Sequence, residues 1–352
     1  MNKLYFTLLL TIAGMMTVSA QTGGEGTYKF LTVASTARMS AMGDHVISIR
    51  DGDVNMALEN PALLNEEMYK AVSFSHKFLL AGISTGYVAY GFKLQRWNLP
   101  LHVGIKYINY GDTDLTDIYG DKYGTVNGSE YALVAGTSYR LYDRVNLGVN
   151  IKYIFSSLAM YSSQGFAMDL GMTYDIHEKN MIAGFVIKNI GGQLSTYAGM
   201  REKLPLNVMA GISKKLEHLP FRLSVTMHHL NRWNLLYDDP YGENNSFITG
   251  EEQEDSDLSL FIDNLFRHIN FGGEFLLGKG ESKPLRFRMG YNYMKSKEMS
   301  VQPYRTFAGF SFGFGFSIKK INFDYAYSIY HFAGGSSHLS ISTNLSRFGK
   351  RL

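Results

Sequence analysis

From residue 71 onward, apolar residues alternate with polar or small ones at a period of two, in runs of about ten. Val145-Asn146-Leu147-Gly148-Val149-Asn150-Ile151-Lys152-Tyr153 alternates without an error. Phe166, Met168, Leu170, Met172 and Tyr174 keep the same phase, as do Phe310, Phe312, Phe314 and Phe316, and Ile321, Phe323, Tyr325, Tyr327 and Ile329. Successive side chains of a strand point to opposite faces, so each run has one apolar face and one polar or small face. A soluble sandwich would alternate too, but its strands are usually about five or six residues long. About ten residues is the length that crosses a bilayer when tilted. The polar face carries Lys, Asn and Asp in mid-run, as a polar lumen would. Tyr recurs near run ends (Tyr87, Tyr107, Tyr139, Tyr153, Tyr174, Tyr330), where aromatic girdles sit.

These features predict an all-β fold, a 14-stranded antiparallel transmembrane β-barrel. Strands are expected near 71–80, 83–92, 101–110, 129–140, 145–155, 164–176, 181–190, 205–216, 221–230, 269–277, 285–294, 306–319, 320–330 and 338–346. Strands four and five, six and seven, eight and nine, and twelve and thirteen are joined by tight turns. The links after strands three, five, seven, nine, eleven and thirteen are expected to be longer. Barrels keep short turns in the periplasm and long loops outside, which puts both barrel termini on the periplasmic side. The link after strand one is short where that rule asks for a long one.

Composition narrows the class further. The 352 residues include no cysteine, which removes disulfide scaffolds, thiol enzymes and zinc–thiolate sites. Mean hydropathy is −0.11, and no long apolar run follows the first twenty residues, so a polytopic helical membrane protein is excluded. Net charge is only +3 and scattered, which gives a nucleic-acid partner no support. Residues 1–20 read as a signal peptide: Lys3, an apolar core around Leu8-Leu9-Leu10, then Val18-Ser19-Ala20 before Gln21. The mature chain is then expected as an integral outer-membrane protein.

Residues 21–70 do not alternate. They carry Arg38 and Gly43 in a stretch rich in small residues, then Asn60-Pro61, where proline biases its predecessor away from helix. Such a segment suits a hatch or plug inside the lumen, with a periplasmic tail as the alternative; its motif residues are Arg38, Gly43, Asn60 and Pro61, before a barrel of residues 71–352. The longest link, 231–268, is expected to be an extracellular loop and the place where a partner binds, with Arg232, Trp233, Tyr237 and Tyr241 as candidate contacts, Trp233 suiting a membrane-interface belt equally well. Its acidic run at 251–257 reads as solvated charge rather than a calcium site, for want of glycine-punctuated ligand spacing. His228-His229 lack metal-ligand spacing, and one of them is expected to face lipid. His76 falls on the apolar phase of strand one without an explanation. No serine-nucleophile motif, phosphate loop, metal site or cofactor motif occurs, so no catalytic role is expected.

The order Gly24-Glu25-Gly26-Thr27-Tyr28-Lys29-Phe30-Leu31, Ala37-Arg38, Ala41-Met42-Gly43 and Asn60-Pro61-Ala62-Leu63-Leu64 resembles the PorQ family of the type IX secretion system. The likeness continues through Tyr107-Ile108-Asn109-Tyr110-Gly111, Lys188-Asn189-Ile190-Gly191, Gly211-Ile212-Ser213-Lys214-Lys215-Leu216 and Leu230-Asn231-Arg232-Trp233, over essentially the whole mature chain. The resemblance implies an outer-membrane barrel related to PorV and, more distantly, to FadL-type channels with an N-terminal hatch. It implies no enzyme activity and no cofactor. It implies anchoring of a PorZ-like surface protein that works with the PorU sortase and PorV in the attachment complex. That complex processes cargo and joins it to anionic lipopolysaccharide, so outer-membrane lipid and lipopolysaccharide are implied partners too. The alternative is a FadL-like outer-membrane transporter of hydrophobic molecules.

Overall fold

The structure is a computed structural model that describes residues 26–236, 257–278, 284–299, 307–331 and 334–348. Seven strands form the first half of the sheet: β1 (Ala71–Phe78), β2 (Ser84–Leu94), β3 (Leu99–Thr116), β4 (Lys122–Tyr142), β5 (Val145–Leu158), β6 (Tyr161–Ile176) and β7 (Met181–Ser195). Seven more complete it: β8 (Asn207–Lys215), β9 (Phe221–Met227), β10 (Ile269–Leu277), β11 (Leu285–Asn292), β12 (Phe310–Ile318), β13 (Ile321–His331) and β14 (Gly334–Asn344). Each pairs antiparallel with its sequence neighbours, and β1 pairs with β14 from Ala71–Asn344 to Phe78–Ser337, so the sheet closes as a 14-stranded barrel. No helix of the described residues is long and apolar enough to cross a membrane.

The alternation does what its period dictates. On β5 the outward Leu147, Ile151, Tyr153 and Phe155 are exposed, while the inward Asn146, Asn150, Lys152 and Ser156 are buried. Outward Phe74, Ile105, Leu133, Leu170, Phe287, Phe314 and Ile341 continue an exposed apolar belt around the sheet. An apolar surface of this extent on a chain in water would be an aggregation liability; facing lipid it is the stable arrangement.

Several connections differ from expectation. The β5–β6 link is the two-residue turn Ala159-Met160, with Ala159 in the left-handed region, because the ladder runs on to Leu158–Tyr161. The β13–β14 link is also short, since pairing continues to His331–Gly334. β3 and β4 run well past the expected 101–110 and 129–140. After an irregularity between Asn109 and Asp112, they pair as far as Thr116–Lys122 and project as a hairpin. These three links lie at the same end as the long 228–268 connection, here called the loop end; the barrel termini lie at the opposite, turn end. The Tyr positions also divide. Tyr139, Tyr153 and Tyr174 stand exposed on the outer face, but Tyr87 is fully buried in the lumen. Tyr330 points inward, with the Lys295 and Lys77 ammonium groups 4.6 and 5.6 Å from its ring centre. His76 sits on the outer face, where its Nδ1 lies 2.8 Å from the Tyr107 hydroxyl and its ring meets Phe78 edge-on.

Most of the buried apolar residues belong to the stretch before β1, among them Phe30, Met39, Met42, Ile47, Met56, Leu63 and Met68. This stretch contains helices α1 (Ala37–Ala41) and α2 (Met56–Glu59), both too short to stand alone. Thr36 caps α1, its hydroxyl accepting from the Met39 amide.

Candidate functional site

Residues 26–70 bond to every stave of the barrel. Asn55 donates to Ser73 on β1, the Lys70 amide to the Gly91 carbonyl on β2, and Lys106 on β3 to the Leu31 and Val33 carbonyls. Ser138 on β4 donates to the Leu64 carbonyl, Asn150 on β5 to that of Ala57, and Thr173 on β6 to that of Ala62. Lys188 on β7 pairs with Glu59, Ser213 on β8 donates to the Ser48 carbonyl, and Arg222 on β9 pairs with Asp51. Asn270, Asn292, Ser311 and Ser328 on β10 to β13 donate to carbonyls of residues 40–45, and Ser340 on β14 accepts from the Ala37 amide. A segment bonded to inward-facing positions of all fourteen strands runs inside the closed barrel.

The four motif residues all stand on this plug–wall contact. Arg38 donates from Nε to Glu274 Oε1 at 2.8 Å and from Nη2 to Oε2 at 2.9 Å, a two-point grip on β10. Its other donors reach Asp51 at 2.8 and 3.0 Å and Asp53 at 3.2 Å within the plug. Glu274 also accepts from Arg288 at 2.7 Å and Arg222 at 3.0 Å, and Arg288 continues to Asp324. This network joins plug to wall across β9, β10, β11 and β13, and each charge in it has an opposite charge beside it, which burial demands.

Gly43 has φ +84°, and a Cβ there would come within 2.1 Å of Asn270 Oδ1. Its carbonyl accepts from Asn292 at 3.2 Å. Asn60 caps the turn that follows, its Oδ1 accepting from the Ala62 amide at 3.1 Å while Nδ2 donates to the carbonyls of Ile47 and, on β6, Met172. Pro61 lies against Gly148 of β5, where a Cβ would meet the Pro61 carbonyl carbon at 2.3 Å.

The plug starts at the loop end, where the Thr27 amide donates to the Lys203 carbonyl in the β7–β8 loop and the Tyr28 hydroxyl lies 2.5 Å from Ser163 Oγ on β6. It finishes at the turn end, where the Leu345 amide donates to the Lys70 carbonyl. A cavity of about 750 Å³ opens beneath it, lined by plug residues Arg50 and Asn65 and by Trp97, Arg140, Asn146 and Asp175 of the wall.

Above the lumen lies a cap made by α3 (Asp257–Arg267) and α4 (Tyr293–Glu298). Asp263 joins the two, taking bonds from Arg267, Lys297 and the Tyr293 hydroxyl. Burial alone would raise the Asp263 carboxyl; these donors bring it below its ordinary value. α3 leaves Leu258, Phe261, Ile262 and Phe266 exposed. Trp233 stacks on His268 at 5.0 Å, and its carbonyl accepts from Asn264 and His268 at 2.8 Å each. Trp233 is still 45% exposed, and Arg232 beside it is exposed. Tyr237, Tyr241 and the acidic run up to residue 256 lie outside the described residues.

His228 and His229 do not face lipid. His228 is fully buried, its ring 4.4 Å from that of His45 in the plug, and its Nδ1 is 2.7 Å from His229 Nδ1. Burial, reinforced by His229, pushes the His45 imidazole down to about 3; burial, reinforced by His268, pushes His229 down to about 4. Lys295 of α4 pairs with Asp44 next to His45, so the cap grips the plug as well. Among the described residues, no group of three His, Cys, Asp or Glu side chains is placed to hold a metal ion.

Sequence reading missed Glu274, Arg222, Arg288, Asp324 and His45. The only signal was a charge on the inward phase of an otherwise apolar run, as in Arg286-Phe287-Arg288.

No family model matches the chain, and no curated protein matches it by sequence. Among solved structures, the CymD monoaromatic hydrocarbon channel has a TM-score of 0.52 at 13% identity, covering 88% of this chain and 96% of that one. The TodX monoaromatic hydrocarbon channel, as its deltaS2 mutant, has a TM-score of 0.52 at 12% identity, covering 88% and 97%. A Pseudomonas aeruginosa FadL homologue has a TM-score of 0.50 at 10% identity, covering 88% and 98%. At these identities the likeness is one of fold alone, a closed antiparallel β-barrel like those of these proteins.

Proposed function

We propose that this chain is an integral outer-membrane barrel that works at its loop end, as the anchor of a surface protein in the type IX attachment complex. The observation that carries this reading is the contrast between lumen and cap. The lumen is occupied by residues 26–70, bonded to all fourteen strands, and its wall is polar and charged. The cap presents exposed apolar side chains on a folded support. Buried aromatic anchors on rigid elements are what protein interfaces use. In this reading the partner is a PorZ-like protein, with PorU, PorV and lipopolysaccharide in the same assembly, and residues 26–70 act as a hatch.

The test is deletion of residues 237–256, outside every described strand, in the native host. The variant barrel is expected to insert and to lose its surface partner on mild-detergent purification. Retention of the partner at the wild-type level contradicts the assignment.

A second reading is favoured by the solved structures of like fold, two of which are monoaromatic hydrocarbon channels. In it the chain is a gated transporter of hydrophobic molecules and the plug moves aside to open an apolar path. A radiolabelled hydrocarbon that enters proteoliposomes with the wild type, and not with a plug cross-linked to the wall, would establish it.

A further inference from the structure

We infer that the lumen wall is a cationic conduit, selective for small inorganic anions, which the carboxylates of the plug keep neutral and shut. The inference stands on the charges of the inward faces and does not depend on which protein, if any, the cap anchors.

Four lysines point inward from alternate strands, Lys77 on β1, Lys106 on β3, Lys152 on β5 and Lys188 on β7, and all are buried. Arg222, Arg286 and Arg288 face the lumen from β9 and β11. Against these seven cations, the same wall carries four carboxylates, Glu130, Asp169, Glu274 and Asp324. The wall therefore has an excess of three positive charges. The plug brings Asp44, Asp51, Asp53 and Glu59 against Arg38, an excess of three negative charges. The exposed or turn-end charges stand apart from this set: Lys29, Arg50, Glu66, Glu67 and Lys70 of the plug, and Lys93, Arg140 and Asp175 of the wall, with Lys93 paired to Glu66.

The match is made contact by contact. Glu59 meets Lys188 at 2.7 Å, Asp51 meets Arg222 at 3.1 Å, and Asp44, paired first with Lys295 of the cap, lies 3.9 Å from Lys77. The Lys106 ammonium donates to two plug carbonyls and, among the described residues, has no carboxylate partner. When the plug is displaced, Lys77, Lys106, Lys188 and Arg222 lose these partners together and face the water that replaces it. Cationic side chains lining a pore attract anions and repel cations, the more so within low-dielectric walls. The plug's carboxylates occupy the places that permeating anions would take.

The experiment uses the full-length protein in a planar bilayer under a potassium chloride gradient. The plug is dislodged in two ways: by urea added to the wild type, and by the Gly148→Leu, Gly290→Leu double substitution, which puts side chains where plug backbone lies. Unboiled gel mobility confirms that the barrel stays folded. The expected result is openings whose reversal potential gives a chloride-to-potassium permeability ratio well above unity, reduced by Lys106→Gln with Lys152→Gln. A ratio at or below unity overturns the inference. So does a folded barrel that stays silent under both treatments.

Discussion

A buried charge in this lumen is tolerable only in company, and that makes single residues informative. Arg38 serves Glu274, Asp51 and Asp53 at once. Breaking a buried pair from one side costs about 3–5 kcal/mol. Because Arg222 and Arg288 remain on Glu274, Arg38→Ala belongs at the lower end. Amide exchange over residues 37–53 is then expected to speed up by about a hundredfold while the strands stay protected. Unchanged exchange there would mean that Arg38 does not fasten the plug.

The histidines give a pH dependence with a definite sign. His45 and His229 titrate near 3 and 4 in the folded protein, against about 6.5 when unfolded. Their pKa values are lowered, so their contribution is complete above about pH 6.5 and is lost as pH falls toward 3 to 4. At pH 5 each costs about 2 kcal/mol of local stability. Exchange at 42–46 and 228–235, corrected for its intrinsic pH dependence, is expected to be faster at pH 5 than at pH 7. His45→Gln should flatten the difference, and an equal response in that variant would discount the cluster. Arg38 and Asn60 could be singled out in the sequence because they sit in an unusual stretch. Their partners could not: Glu274 is 236 residues away from Arg38, and nothing in an alternating strand says which inward charge another segment will meet.

At the scale of elements, the wall is shaped around the plug by its glycines. At Gly290 a Cβ would meet the Gly43 amide nitrogen at 2.2 Å, and at Gly148 it would meet Pro61. Both contacts are with backbone, which cannot swing aside as a side chain could. Gly290→Leu is therefore expected to insert as a barrel yet expose residues 38–45 to protease, whereas Gly192→Leu, where a Cβ meets nothing within 4 Å, should leave the plug protected. Equal protection in both would show that the plug tolerates the wedge. Strand existence and number were legible because a period of two has one meaning once a run reaches about ten residues. Link lengths were not. Tyr161 and Ser162 continue the β6 ladder with no apolar alternation to mark them, and the β3–β4 hairpin extends beyond the apolar belt on backbone pairing and the Lys122–Asp114 ion pair. The apolar phase reports the lipid belt, so strand beyond the belt is silent in it. Tyr87 and Tyr330 misled for a related reason: a tyrosine inside a polar lumen reads the same as one in a girdle.

Over the whole molecule the usual order is inverted. The continuous sheet turns its apolar face outward, and the largest buried apolar cluster is built mainly from a segment with little regular structure of its own. That segment is stable because the barrel surrounds it, and the fold class follows from the barrel alone. The proposed anchoring role would be exercised where plug and cap meet, at His45, Asp44, Lys295 and Trp233, and through residues 237–256. The most direct test is native mass spectrometry of the tagged, full-length protein extracted from its own outer membrane in mild detergent. A stable assembly of the barrel with a larger surface protein, lost when residues 237–256 are deleted, is the expected result. The barrel by itself, carrying a small hydrophobic molecule in place of a protein partner, would contradict it and leave transport as the function.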